Sequence, residues 1–157
     1  MAKFDWFSHG STHLHPRKTR DYSRFGAFCS GTATAKYIPM KILIAEDTDS
    51  VRYALRLVLE HLGHEVIGFA IDGEEAIEKC KSMQPELVLM DVRMPIMDGL
   101  TCTSLLAKDN PNAKVVIVTG SRTTENEARE AGASAFVEKP FGVSELNQAI
   151  NLAMATA

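Results

Sequence analysis

The chain is 157 residues long, 45% apolar and 24% charged, with a formal net charge of −3. That length carries one domain with a real core and is short for two, and the composition is that of an ordinary globular protein. No apolar stretch approaches the length of a membrane span, which argues against membrane insertion. Three cysteines, Cys29, Cys80 and Cys102, show neither a disulfide framework nor metal-ligand spacing, so a reducing cytoplasm is the expected setting.

The net charge hides an asymmetry. Residues 1–39 hold six Lys and Arg against two Asp, whereas residues 40–157 hold eleven against eighteen Asp and Glu. A change of that size suggests a boundary near residue 40. The acidic part has no basic stripe, which argues against nucleic-acid binding. Residues 1–39 also carry seven of the eleven aromatics without a sustained period of 2 or 3.6. They read as a disordered N-terminal extension, or as sequence upstream of a true start at Met40. A basic, Ser-rich targeting segment is the sharper alternative. His9, His13 and His15 could ligate a transition metal, but without a packed element to orient them a solvated surface is expected.

From Met40 onward, strand and helix patterns alternate. "KILIA" (41–45) is a strand, and "SVRYALRLVLEHL" (50–62) places Val51, Leu55, Val58, Leu59 and Leu62 at helical spacing before Gly63. "EVIGFA" (65–70) is the second strand and "GEEAIEKCKSM" (73–83) the second helix. "LVLMD" (87–91) reads as a strand covered on both faces, followed by a helix over 99–109. "KVVIV" (114–118), a short polar helix over 124–131, "SAFVE" (134–138) and an amphipathic helix over 144–155 complete the series. Cys80 and Cys102 fall at apolar helical positions and read as buried, inert thiols. Five repeats of strand then helix predict a doubly wound α/β domain with a parallel sheet and helices on both faces.

Such sheets bind ligands beyond the carboxyl ends of their strands. The first strand delivers Glu46 and Asp47, the third Asp91, the fourth Thr119 and Gly120, and the fifth Lys139 and Pro140. No hydrophobic pattern requires these residues. Three carboxylates in one crevice repel unless a cation compensates them, and all-oxygen ligation selects Mg²⁺ or a similar hard ion. Asp47 and Asp91 suit direct ligation, with Glu46 acting through water. Lys139 suits a phosphoryl oxygen, Thr119 can donate a hydrogen bond, and Asp91 can serve as a nucleophile in phosphoryl transfer. Taken singly, each residue has a bland explanation; "DG" at 98–99, for instance, reads as a turn. Their joint placement at successive strand ends makes coincidence improbable.

With "ILIAED", "LVLMDVRMPIMDG", "VVIVTG" and "AFVEKPF" in place, residues 40–157 resemble the receiver domain of two-component response regulators. The resemblance implies a flavodoxin-like (βα)5 fold with strand order 2-1-3-4-5. It implies a phosphoryl group accepted on Asp91 from a histidine kinase or histidine phosphotransfer protein. Mg²⁺ would be held by Asp47, Asp91 and the backbone carbonyl of Arg93, with Glu46 supporting. Thr119 and Lys139 would engage phosphoryl oxygens, and Phe136 would be the switch aromatic that turns inward with Thr119. A cis Lys139–Pro140 bond is implied as well. Signalling would run through docking of a downstream protein, or homodimerisation, on the fourth helix, fifth strand and last helix. Because the sequence stops after that helix, a stand-alone receiver without an output domain is expected, acting as a phosphoacceptor rather than an enzyme. Phe136 lacks the hydroxyl common at that position, Gly120 replaces a small side chain, and Arg93 and Ser121 flank the site where phosphoryl lifetime is tuned. Three other readings compete. One is a receiver-like module that only binds a partner. Another is a phosphatase of the haloacid dehalogenase class, disfavoured because the acid follows the third strand. The third is a flavin-binding module, disfavoured by the acids after the first strand.

Overall fold

The computed structural model describes residues 39–155. The readings of residues 1–38, including His9, His13 and His15, lie outside the described residues. The elements run β1 (Lys41–Ala45), α1 (Asp49–His61), β2 (Glu65–Ala70), α2 (Gly73–Met83), β3 (Leu87–Met90), α3 (Gly99–Asp109), β4 (Lys114–Thr119), α4 (Glu125–Glu130), β5 (Ala135–Glu138) and α5 (Val143–Ala155). All five strands are parallel, in the order β2-β1-β3-β4-β5.

Side chains of a strand alternate between the two faces of its sheet, and the core divides accordingly. Ile42 and Ile44, Leu87 and Leu89, and Val116 and Val118 pack with Leu55 and Leu59 of α1 and Leu146 and Ile150 of α5. Leu43 and Ala45, Val88 and Met90, and Val115 and Ile117 pack with Ala76 of α2, Cys102 and Leu106 of α3 and Ala128 of α4. All four β3 residues are buried, as a strand covered on both faces requires.

Boundaries differ from the predicted ones by one or two residues, for local reasons. Thr124 is the N-cap of α4 rather than its first residue; its hydroxyl accepts from Glu127 N–H while the Glu127 carboxylate accepts from Thr124 N–H. Asp98 caps α3, accepting from the N–H groups of Leu100 and Thr101 at 3.0 and 2.9 Å. The "DG" turn is therefore also a helix start. Asp91 falls just outside β3. The edge strand β2 is bulged, because Ile42 pairs with Val66 while Leu43 pairs with Gly68, leaving Ile67 as the extra residue. The opposite edge, β5, has four residues and pairs with β4.

Among the described residues, no helix is long and apolar enough to cross a membrane. Cys102 is buried and Cys80 half-buried. Burial pushes the Cys80 thiol up to about 11 and the Cys102 thiol up to about 12, where thiolate chemistry is suppressed.

Candidate functional site

The site forms where β1 and β3, adjacent in the sheet, release their chains. Glu46 N–H donates to Ala70 O at 2.9 Å, and Asp91 N–H donates to Ala45 O at 2.8 Å. These backbone bonds extend the ladder one residue and bring the two acids to neighbouring strand ends. Both are nearly buried, Glu46 at 3% and Asp91 at 7% exposure. Buried carboxylates need a partner, and Lys139, directly after β5, supplies it. Its ammonium donates to Glu46 Oε2 at 2.6 Å and to Asp91 Oδ1 at 2.9 Å. Burial opposes the charge on Lys139, but hydrogen bonds and charges from Glu46 and Asp91 outweigh it, so its pKa is raised. Lys139 N–H also donates to Thr119 O at 2.9 Å, tying the ends of β4 and β5 together. The Lys139–Pro140 bond is cis.

The remaining oxygen of Asp91, Oδ2, accepts Arg93 N–H at 2.7 Å. Glu46 Oε1 accepts Thr48 N–H at 3.2 Å. Thr48 holds the N-cap position of α1, yet its side chain makes no cap bond; its hydroxyl donates to Asp47 Oδ1 at 3.1 Å instead. The helix thus forgoes a cap to hold an acid. Arg52, one turn into α1, donates to Glu46 O at 2.5 Å and to the Asp49 carboxylate, tying the β1–α1 loop to the first turn of the helix.

The structure thus brings together Glu46, Asp91 and Lys139. Asp47 stands on the exposed side of the same loop, and Thr119, fully buried, ends β4 with its hydroxyl bonded to Ser121 Oγ at 2.9 Å. Phe136 packs against the α2–α3–α4 layer. It also lines an open groove of about 600 Å³ with Glu125, Glu138, Gln148 and Leu152, on the surface formed by α4, β5 and α5. Among the described residues, no three His, Cys, Asp or Glu side chains form a ready-made metal cluster. The donor set is nonetheless all oxygen, from adjacent strand ends, and the single Lys139 ammonium offsets only part of the negative charge of Glu46, Asp47 and Asp91. That chemistry fits a hard divalent cation once the carboxylates turn toward it.

Three contributors escaped the sequence reading. Thr48 and Arg52 build the loop around Glu46, and the Asp49–Arg52 spacing of i, i+3 was the available signal. The third is Gly99. A Cβ there would lie 2.0 Å from Asp91 O and 3.0 Å from Met90 Cγ, so only glycine lets the start of α3 approach the backbone of Asp91.

Five parallel strands wound on both sides, with acids and a lysine at the strand ends, define a doubly wound α/β protein with an acidic crevice that one lysine partly neutralises. Residues 42–151 match the family model described as the response regulator receiver domain. The chain belongs to that family, of two-component signalling. It is 41% identical over 119 residues to the transcriptional regulatory protein PdtaR of Mycobacterium tuberculosis, covering 74% of this chain and 58% of that protein. The chain therefore spans little more than half the length of that relative. It is 37% identical over 113 residues to the chemotaxis protein CheY of Thermotoga maritima, covering 71% of this chain and 94% of CheY. Among solved structures, the CheX–CheY–BeF3–Mg complex of Borrelia burgdorferi superimposes with a TM-score of 0.71. It shares 29% identity over 76% of this chain and 92% of that one. The fold, strand order and family expected from the strand-end motifs are borne out.

Proposed function

We propose that Asp91 accepts a phosphoryl group from a histidine kinase or histidine phosphotransfer protein. A carboxylate oxygen of Asp91 attacks phosphorus, the P–N bond of the donor phosphohistidine breaks, and the imidazole leaves with the bonding pair and takes up a proton. The observation that carries this reading is the Lys139 ammonium, held against Asp91 at 2.9 Å and against Glu46 at 2.6 Å. It screens the attacking carboxylate and is already within reach of an oxygen on the incoming group. Thr119 would donate to a second phosphoryl oxygen. Asp47, Asp91 and the Arg93 carbonyl would hold Mg²⁺, with Glu46 supporting through water; when bound, that ion neutralises the charge developing on the phosphoryl oxygens. In this reading the receiver spans residues 40–157, residues 1–39 form an N-terminal extension, and the protein is a phosphoacceptor rather than a turnover enzyme.

Phosphorylation adds a charge of about −1.5 to −2, which draws on Lys139 and Thr119. Their displacement would bias Phe136 and the α4–β5–α5 surface, where a downstream protein or a second copy would dock. Intact-mass analysis with Mg²⁺ and acetyl phosphate, phosphoramidate or a phosphorylated histidine kinase tests the proposal. One phosphoryl group, dependent on Mg²⁺ and absent from Asp91→Asn, is expected. No adduct from any of the three donors would refute it.

A further inference from the structure

We infer that Ser121 is a positioning residue that holds the Thr119 hydroxyl away from its phosphoryl-binding orientation. This rests on the reading of Asp91 as phosphoacceptor and adds a control element to it.

Thr119 is 0% exposed, so its hydroxyl depends on protein partners. Its oxygen accepts Ser121 N–H at 3.1 Å, and its own proton goes to Ser121 Oγ at 2.9 Å. Ser121 Oγ also lies 2.7 Å from Thr123 Oγ1 and accepts Thr123 N–H at 3.4 Å. With two donors already pointing at it, Ser121 Oγ gives its proton to Thr123 Oγ1. The three hydroxyls therefore form a one-way chain, Thr119 to Ser121 to Thr123, in which each bond polarises the next.

A threonine hydroxyl has one proton. To donate it to a phosphoryl oxygen on Asp91, Thr119 must withdraw it from Ser121. The loop following β4 thus competes with the phosphoryl group for a single hydrogen bond, and the competitor is tethered two residues away. Removing the Ser121 hydroxyl removes the competing acceptor while residue 121 keeps its backbone N–H to Thr119. The bonds of Ser121 Oγ to Thr123 go with it, so a Thr119→Val background is needed to isolate the part that passes through Thr119. A neutral hydrogen bond of this kind shifts an equilibrium about three- to tenfold.

The test measures affinity for beryllofluoride with Mg²⁺, a phosphoryl mimic, in the full chain by calorimetry, with phosphoramidate labelling of the parent alongside. Ser121→Ala is expected to bind about three- to tenfold tighter than the parent, and Ser121→Thr, which keeps the hydroxyl, to match the parent. In a Thr119→Val background, Ser121→Ala is expected to change nothing, because its effect passes through the Thr119 proton. An unchanged or weakened affinity for Ser121→Ala, or the same gain in the Thr119→Val background, overturns the latch while leaving the phosphoacceptor reading intact. A parent that takes neither beryllofluoride nor a phosphoryl group overturns both.

Discussion

Gly99→Ala sets two physical effects against each other, and the geometry decides which wins. Intrinsic propensity favours the change, by at most the roughly 1 kcal/mol that separates alanine from glycine in a helix interior, since Gly99 is the first residue of α3. Contact distances oppose it. The new carbon would sit 2.0 Å from Asp91 O and 2.9 Å from Asp91 C, where essentially no real Cβ comes within 3.0 Å. Relief requires a displacement of about 1 Å, and neither side yields freely. Gly99 N–H is bonded to Val92 O at 2.9 Å and Gly99 O accepts the Thr103 hydroxyl at 2.7 Å, while Asp91 N–H is bonded to Ala45 O. Overpacking against backbone belongs at the upper end of the usual 1–3 kcal/mol, so a net loss of about 1–2 kcal/mol is expected after propensity is included. The site is affected more than the fold. A shift of about 1 Å in a reacting group costs on the order of 10²-fold in rate, and the residue pushed is the proposed acceptor itself. Urea unfolding and phosphoramidate labelling followed by intact mass read the two effects separately. A variant as stable as the parent, or labelled at the parent's rate, would refute the argument that this glycine positions Asp91.

Three further changes probe other elements. Lys139→Met leaves the nearly buried carboxylates of Glu46 and Asp91 without their ammonium. It should cost about 1–3 kcal/mol at neutral pH, below the 3–5 of a fully buried pair because the Lys139 side chain is 25% exposed. Its raised pKa means that its stabilisation is fully present below the ordinary value of 10.5 and is lost as pH rises through the higher folded value. The parent should therefore lose stability above about pH 10.5 by a step that Lys139→Met lacks, in denaturant titrations from pH 7 upward. Ile96→Gly should stabilise the fold by about 0.5–1 kcal/mol. Ile96 holds φ 64° in a turn where Met97 N–H bonds to Pro95 O, and at 77% exposure its side chain gains little from burial; equal or lower stability in urea would show that this backbone is unstrained. Gly120→Ala should be accepted, with a gain of about 0.5–1 kcal/mol, because its Cβ would meet the Lys139 stem at 3.6 and 4.0 Å, ordinary contact distances; thermal unfolding at a lower temperature than the parent would contradict this.

The frame of the molecule was legible because apolar periodicity and burial report the same fact. Val88 and Met90 face one helix layer and Leu87 and Leu89 the other, and an unbroken apolar run is what a strand with two dry faces requires. Glu46, Asp91 and Lys139 were legible as exceptions to that pattern, and they do meet. What the sequence withheld are the approaches between loops. The i, i+3 spacing in "EDTDSVR" signals the Asp49–Arg52 pair, but it does not announce that the Thr48 hydroxyl turns from capping α1 to hold Asp47, or that Arg52 reaches back to Glu46 O. Nothing in "DG" separates a turn from a helix start pressed against Asp91. In the sequence Ser121 reads only as a flanking side chain; its two bonds to the Thr119 hydroxyl belong to the folded loop after β4. These contacts arise from how strand ends are stacked, and periodicity carries no information about that.

The two margins of the sheet limit how another protein can take hold of this one. A partner that adds a strand needs a regular, accessible row of N–H and C=O groups. At β2 the register breaks at Ile67, so the row of backbone groups along that margin is bulged and more strongly twisted. At β5 the row ends after four residues in Glu138 and is followed shortly by Pro140, which has no N–H to offer. Neither margin offers a template for sheet extension. Recognition must then be written in side chains on helices and loops, so partner specificity can diverge by surface substitution while the hydrogen-bonded frame beneath stays unchanged.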